Sequence, residues 1–218
     1  MSRRFLTLLF CLAGAAALRA EPPSLLDPAT LIADPAHDPA WQDLLARLAP
    51  GKNRLCAFVE RRYFPFRRTP IVLTGEVRIA PDLGLSLHYL TPEPRIVIVD
   101  GRGLLIRDAS GREQAVPADG RALAAVDALV DVLRFDLPRL QKNFAVHGWR
   151  EAGVWTLALV PRNPSLASSL SAVMISGEQM KLGKIELIES AAQRVEILIG
   201  ETREGVTFSA DELARYFR

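Results

Sequence analysis

Two cysteines, three histidines and 7% aromatic residues in 218 positions close off several kinds of chemistry before any motif is sought. Cys11 falls inside the first twenty residues, so Cys56 is the only cysteine beyond them and no disulfide can form within that part of the chain. Beside Phe58 on a predicted strand, Cys56 reads as a small buried hydrophobe. His37, His88 and His147 have no second histidine at metal-ligand spacing, and no Gly-x-Ser-x-Gly turn accompanies them. Gly101-Arg102-Gly103 is a hairpin turn and not a phosphate loop, because no helix follows it. Asp82, Glu93 and Asp100 sit beside Pro or Gly, where short acidic side chains serve the backbone hydrogen bonds of turns. These absences predict no catalytic residue, no metal and no cofactor.

A long apolar run is also missing. Arg3-Arg4 precede an apolar stretch from Phe5 to Leu12 and a small-residue segment from Ala13 to Ala20. This order reads as a secretory signal peptide over residues 1–20, cleaved after Ala17 or Ala20, ahead of one domain over residues 21–218. The stretch is shorter than the roughly 20 residues a spanning helix needs, and no later segment reaches that length. Cys11 lies within the apolar core of the leader behind the bulky Phe10, which argues against a lipid anchor there. The expected product is soluble and exported to a bacterial periplasm.

The formal charge of +2 belongs to the leader. Removing Arg3, Arg4 and Arg19 from 27 basic residues leaves 24 against 25 acidic ones, a net charge of −1. That balance lacks the basic footprint of a nucleic-acid binder. A local cluster does exist, Arg61-Arg62 and Arg67-Arg68 around Tyr63, Phe64 and Phe66. It fits either a solvated hairpin tip or a docking patch for an acidic partner or lipid head groups.

What the chain has is short apolar runs with turns between them. Leu55 to Arg107 contains five, divided at Phe64-Pro65, Pro81 to Gly84, Thr91 to Pro94 and Asp100-Gly101, which predicts consecutive antiparallel hairpins. Ile71, Leu73, Val77 and Ile79 alternate with Val72, Thr74, Glu76 and Arg78. Leu85, Leu87 and Tyr89 alternate with Ser86 and His88. The pattern predicts one dry and one wet sheet face. Arg112 to Val116 adds a sixth strand, and five more follow Ala145.

Helices punctuate this series. Asp38 and Pro39 predict a start and Pro50-Gly51 a stop for a helix whose Trp41, Leu44, Leu45 and Leu48 form one stripe. Residues 121–134 read as a helix apolar over more than half its circumference, with a short helix to Asn143 after it. Ser209 to Glu212 is a capping-box pattern opening a last turn that carries Leu213, Tyr216 and Phe217. The composite is a mainly β, α+β fold of about eleven antiparallel strands with few helices to cover its dry face. Either side chains fill the space completely, as in small barrels, or a cavity remains for an alkyl chain.

The order of features resembles a known family. An amphipathic helix is followed by Ala57-Phe58-Val59-Glu60, Gly75, Pro81, a Leu-x-Leu-x-Tyr strand (Leu85, Leu87, Tyr89), Pro92 and Val99-Asp100-Gly101. Leu157 to Pro161 and Lys184 to Leu187 come later. From about Pro39 to Phe208 this is similar to LolA, the periplasmic carrier that ferries lipoproteins to the outer membrane, and its LolA-like relatives. The resemblance implies an incomplete barrel of eleven strands whose helices, here about residues 121–143, lid a hydrophobic cavity for acyl chains. It places Leu85, Leu87 and Tyr89 in that cavity, with Phe58, Leu73, Val77, Ile98, Trp155 and Leu157 expected alongside. Leu123, Val126, Val130 and Leu133 would form the lid. The implied partners are the acyl chains of a lipoprotein or other lipid cargo, an inner-membrane donor and an outer-membrane acceptor, with the carrier a monomer. The family has an arginine immediately before the proline, where this chain has Ala80; either Arg78 replaces it in tying the lid, or packing alone holds the lid shut.

Overall fold

The computed structural model describes residues 27–49, 51–116, 131–135 and 137–218. The expected leader and most of the expected lid helix, including Leu123, Val126 and Val130, lie outside them. Eleven antiparallel strands form one sheet: β1 (Arg54–Tyr63), β2 (Ile71–Ala80), β3 (Gly84–Thr91), β4 (Arg95–Asp100), β5 (Gly103–Asp108), β6 (Glu113–Val116), β7 (Phe144–Glu151), β8 (Val154–Pro161), β9 (Ala172–Glu178), β10 (Lys181–Ile188) and β11 (Arg194–Glu204). Their order across the sheet is β6-β5-β4-β3-β2-β1-β11-β10-β9-β8-β7. Two meanders are therefore joined where β1 pairs with β11, from Arg54 opposite Glu204 to Tyr63 opposite Arg194.

This topology explains why a cover exists at all. The strands that end the two meanders, β6 and β7, are the two edges of the sheet, yet they are consecutive in sequence. The segment between them therefore links one edge of the sheet to the other. Its described part, a helical end at residues 131–134 and the helix α2 (Leu137–Asn143), buries Val132, Leu133, Phe135 and Leu140 in the main core. Asp131 holds the two pieces together, with Arg139 at 3.3 Å and the Asn143 amide donating at 3.4 Å.

The N-terminal helix α1 (Gln42–Leu48) closes the same side, and all four residues of its expected stripe are buried. Regular helix begins later than Asp38 because that residue caps a separate turn. Its carboxylate accepts from the Ala40 amide at 2.8 Å and its carbonyl from Trp41 and Gln42. The lead-in before it, expected to be extended, begins with a short 3₁₀ turn at Pro28–Thr30 and then shields an edge. Ile32 donates to the Val146 carbonyl at 2.8 Å, and Thr30 Oγ1 meets His147 Nδ1 at 2.9 Å. This accounts for His147, which is buried.

The outer face is not uniformly wet. A short turn, α3 (Pro164–Ala167), follows β8, and the chain ends with α4 (Ala210–Tyr216), opened by the expected capping box between Ser209 and Glu212. Phe208, Tyr216 and Phe217 pack on Ala80, Ile96, Ile98 and Leu105 as a second apolar cluster. Three arginines fix this tail to the sheet. Arg78 lies 3.8 Å from the centre of the Tyr216 ring, and Arg107 donates to the Ala214 and Arg215 carbonyls. Arg218 forms two bonds to Asp100, at 2.8 and 2.9 Å. Ser86 and His88, expected on a wet face, are consequently covered: Ser86 is fully buried, and His88 lies 5.2 Å from the Tyr216 ring.

Two glycines are dictated by close approach. A Cβ on Gly75 would lie 2.4 Å from the His88 carbonyl oxygen and 2.7 Å from the Phe58 ring. At Gly84 the backbone is left-handed (φ 122°), and a Cβ would meet the Val99 carbonyl at 2.3 Å.

Candidate functional site

The site is the inner face of the sheet, and strand alternation decides its membership. Phe58, Leu73, Val77, Leu85, Leu87, Tyr89, Trp155 and Leu157 all belong to the main inner core, as does Leu133 from the covering segment. Ile98 does not. In β4 the inner residues are Val97 and Val99, and Ile98 points the other way into the cluster beneath Phe217. Its register, opposite Ser86 and Leu105, puts it one residue off the cavity side.

Space on this face is uneven. Between Phe58, Glu60, Val77, Leu87, Leu133, Ile197 and Ile199 only about 10 Å³ remains, no more than one water-sized void. At the other end of β1 a cleft of about 320 Å³ opens, within the size range of ligand pockets. Its apolar lining includes Leu48, Cys56, Ile79, Phe135, Leu182 and Ile199. Arg47, Arg54, Lys181, Glu201 and Glu204 stand around it. Val77 and Leu133 border both spaces, so the filled part and the open part meet under Leu133.

Val77 and Leu133, expected in the cavity and the lid, also line this cleft, but none of the six was named as a cavity residue from sequence. The signal was present only in part: Cys56, Ile79 and Ile199 share a strand parity with recognised inner residues, whereas Leu182 and Phe135 follow a β-turn and a helix end. Cys56 is buried, and the Thr202 hydroxyl donates to its sulfur at 3.3 Å. Burial pushes the thiol pKa up, which keeps it protonated and apolar in behaviour.

Toward the β1–β2 turn the inner face becomes polar. Glu60 is buried, and its two carboxylate oxygens accept from Arg62 Nε and from the Tyr89 hydroxyl, the latter at 2.8 Å. Burial, followed by the neighbouring Glu60 charge, pushes the Tyr89 phenol well above its ordinary pKa. Tyr89 thus remains a donor to Glu60. Its ring also meets Phe58 edge-on at 5.4 Å, and the Arg95 guanidinium lies 4.6 Å from its centre.

The four arginines of the basic cluster divide into two pairs. Arg61 pairs with Glu196 at 3.4 Å and Arg62 with Glu60, both on strand β1. Arg67 and Arg68 are exposed in the turn beyond. Phe66 beside them is 81% exposed and stacks on Phe64 at 5.3 Å between centroids.

Among the described residues Arg78 makes its contacts away from the covering segment. It is on the outer face, bonded to Glu76 at 2.9 Å and stacked against Tyr216. Ala80 lies in the same outer cluster. The described end of the cover is instead held by the burial of Val132, Leu133 and Phe135 and by the Asp131 contacts to α2. Among the described residues no helix is long and apolar enough to cross a membrane, and no cluster of three metal-ligating side chains occurs.

No curated protein matches the chain significantly. Among solved structures, the complex of MucA and MucB from Pseudomonas aeruginosa aligns at 19% identity and a TM-score of 0.45. That alignment covers 80% of this chain but 59% of the other, so this chain spans little more than half the length of that relative. A LolA superfamily protein from Nitrosomonas europaea aligns at 10% identity and a TM-score of 0.45, over 79% of this chain and 96% of that one. A lipoprotein-sorting domain from Vibrio parahaemolyticus aligns at 8% identity and 0.44, over 80% and 94%. The sequence itself matches the family described as outer membrane lipoprotein carrier protein LolA over residues 71–214, most of the chain, and the protein belongs to that family.

Proposed function

We propose that this protein is a non-enzymatic periplasmic carrier that shields acyl chains, from a lipoprotein or another lipid-like cargo, on their way toward the outer membrane. The observation that carries the reading is the inner face: an open sheet whose apolar side is covered by α1, residues 131–135 and α2 and opens into a cleft of about 320 Å³. An alkyl chain gains about 0.8 kcal/mol per methylene removed from water, so even a partly buried chain is held firmly. The residual void of about 10 Å³ under Leu133 means that a chain reaching Leu87 must displace the cover. Residues 121–143 are proposed as that movable lid.

Titration of the purified protein with a fluorescent fatty-acyl probe tests this. Saturable binding that disappears in Leu87→Lys, with unchanged far-UV circular dichroism, supports the carrier. Absence of binding by the wild type contradicts it. A second reading rests on the exposed Phe66 between Phe64 and the arginines Arg67 and Arg68, which would let the same half-barrel dock an acidic protein partner and carry nothing. Partner capture that depends on Arg67 and Arg68 but not on lipid would favour it.

A further inference from the structure

The inner face has a direction. Successive inner positions of β1 run Cys56, Phe58, Glu60, Arg62, from the apolar cleft to a charged end, over about 20 Å at the rise of a strand. Tyr89 and Arg95, in register with Phe58 and on the inner face with Val97 and Val99, lean toward this charged end from β3 and β4: the Tyr89 hydroxyl reaches Glu60, and the Arg95 guanidinium lies over the Tyr89 ring. The carboxylate of Glu60 is already satisfied on both oxygens by Arg62 and Tyr89. Two guanidinium groups therefore flank the Glu60–Tyr89 pair, Arg62 bonded to the carboxylate and Arg95 over the Tyr89 ring, against one negative charge. Arg62 is 35% exposed and Arg95 half-buried, so each presents N–H donors to a molecule lying along the face.

We propose that this end is a head-group subsite, resting on the carrier reading above: the cradle binds single-chain amphiphiles with an anionic head, a carboxylate or phosphate, held by Arg62 and Arg95. The alkyl tail runs past Phe58 and Leu133 toward Cys56 and Phe135. Guanidinium suits this task because its planar donors match two oxygens of a carboxylate or phosphate. Glu60 and Tyr89 position Arg62: the carboxylate takes its Nε and leaves the terminal nitrogens facing the head group. A cationic head would meet the same two arginines and be repelled.

The experiment displaces a neutral fluorescent acyl probe from the full mature chain with dodecanoate, monododecyl phosphate, 1-dodecanol and dodecyltrimethylammonium at pH 8. The expected order places both anions about tenfold tighter than the alcohol, with the cation weakest. In Arg62→Gln/Arg95→Gln the anions fall to the affinity of the alcohol, and the alcohol itself is unchanged. Equal affinity of all four ligands for the wild type overturns the subsite and leaves the carrier reading intact. An anion preference that survives in the double variant overturns the assignment to these arginines. No displacement by any ligand, with no binding of the probe, overturns the carrier reading and the subsite with it.

Discussion

Replacing Asp100 by Asn should loosen the C-terminal tail, and the size of the effect follows from its contacts. The Asp100 carboxylate receives two bonds from Arg218 and one from the Arg102 amide at 2.7 Å, and its side chain is only 6% exposed. Arg218 is the largest cause that lowers the Asp100 pKa, from 3.8 to about 2. The depressed value means that the folded state prefers the ionised form, so the stabilisation is complete above pH 4 and is lost as pH falls toward 2. A shift of this size is worth about 2 kcal/mol, an upper figure because Arg102 is exposed and screened by solvent. Urea unfolding of wild type and Asp100→Asn at pH 7 should therefore differ by about 1–2 kcal/mol, and the difference should shrink by roughly half at pH 3. Detachment of the tail would uncover Ile96, Ile98 and Leu105, so the variant should also bind more of a dye that reports exposed apolar surface. Equal stability at pH 7, or a gap that does not narrow in acid, would refute the assignment of this latch.

Three further outcomes are expected. Gly75→Ala should cost about 1–3 kcal/mol in urea unfolding, because the new methyl group collides with the His88 backbone, which cannot give way, as well as with the buried Phe58 ring. Tyr89→Phe leaves one oxygen of the buried Glu60 carboxylate without its donor and should cost about 1–3 kcal/mol. In a Glu60→Gln background the same substitution should cost less, and equal losses in both backgrounds would show that the bond is not the cause. Phe66→Ser should change stability by less than about 0.5 kcal/mol, since the ring is 81% exposed; a larger loss would mean that Phe66 packs against something.

Periodicity made much of the fold legible. Alternation between turns located all eleven strands, and the 3.6-residue stripe of Trp41, Leu44, Leu45 and Leu48 identified the buried face of α1, though not its start at Gln42. What escaped were effects of register and of distant covering segments. Within β4 every residue from Ile96 to Val99 is apolar, so alternation could not say that Val97 and Val99 face inward and Ile98 outward. Ser86 and His88 read as solvent-facing because their cover, Tyr216, lies about 130 residues further along the chain. The same cover engages Arg78, whose described contacts are with Tyr216 and Glu76. Glu60 and Tyr89 stood in the quoted motifs, yet only the β1–β2–β3 pairing shows that they share a bond. The apolar cleft was the least visible feature, since it is assembled from α1, a helix end and the β9–β10 turn as well as from strand positions.

The central claim, that an acyl chain lies along the inner face with its tail in the cleft, can be tested by photo-crosslinking. A long-chain fatty acid with a diazirine near its methyl end is bound to the purified protein, irradiated, and the adducts are located by peptide mass spectrometry. The account predicts adducts on Leu48, Cys56, Phe135 and Ile199, lost on competition with unlabelled fatty acid. Adducts confined to the outer face around Ile98 and Tyr216, or none that competitor removes, would contradict it.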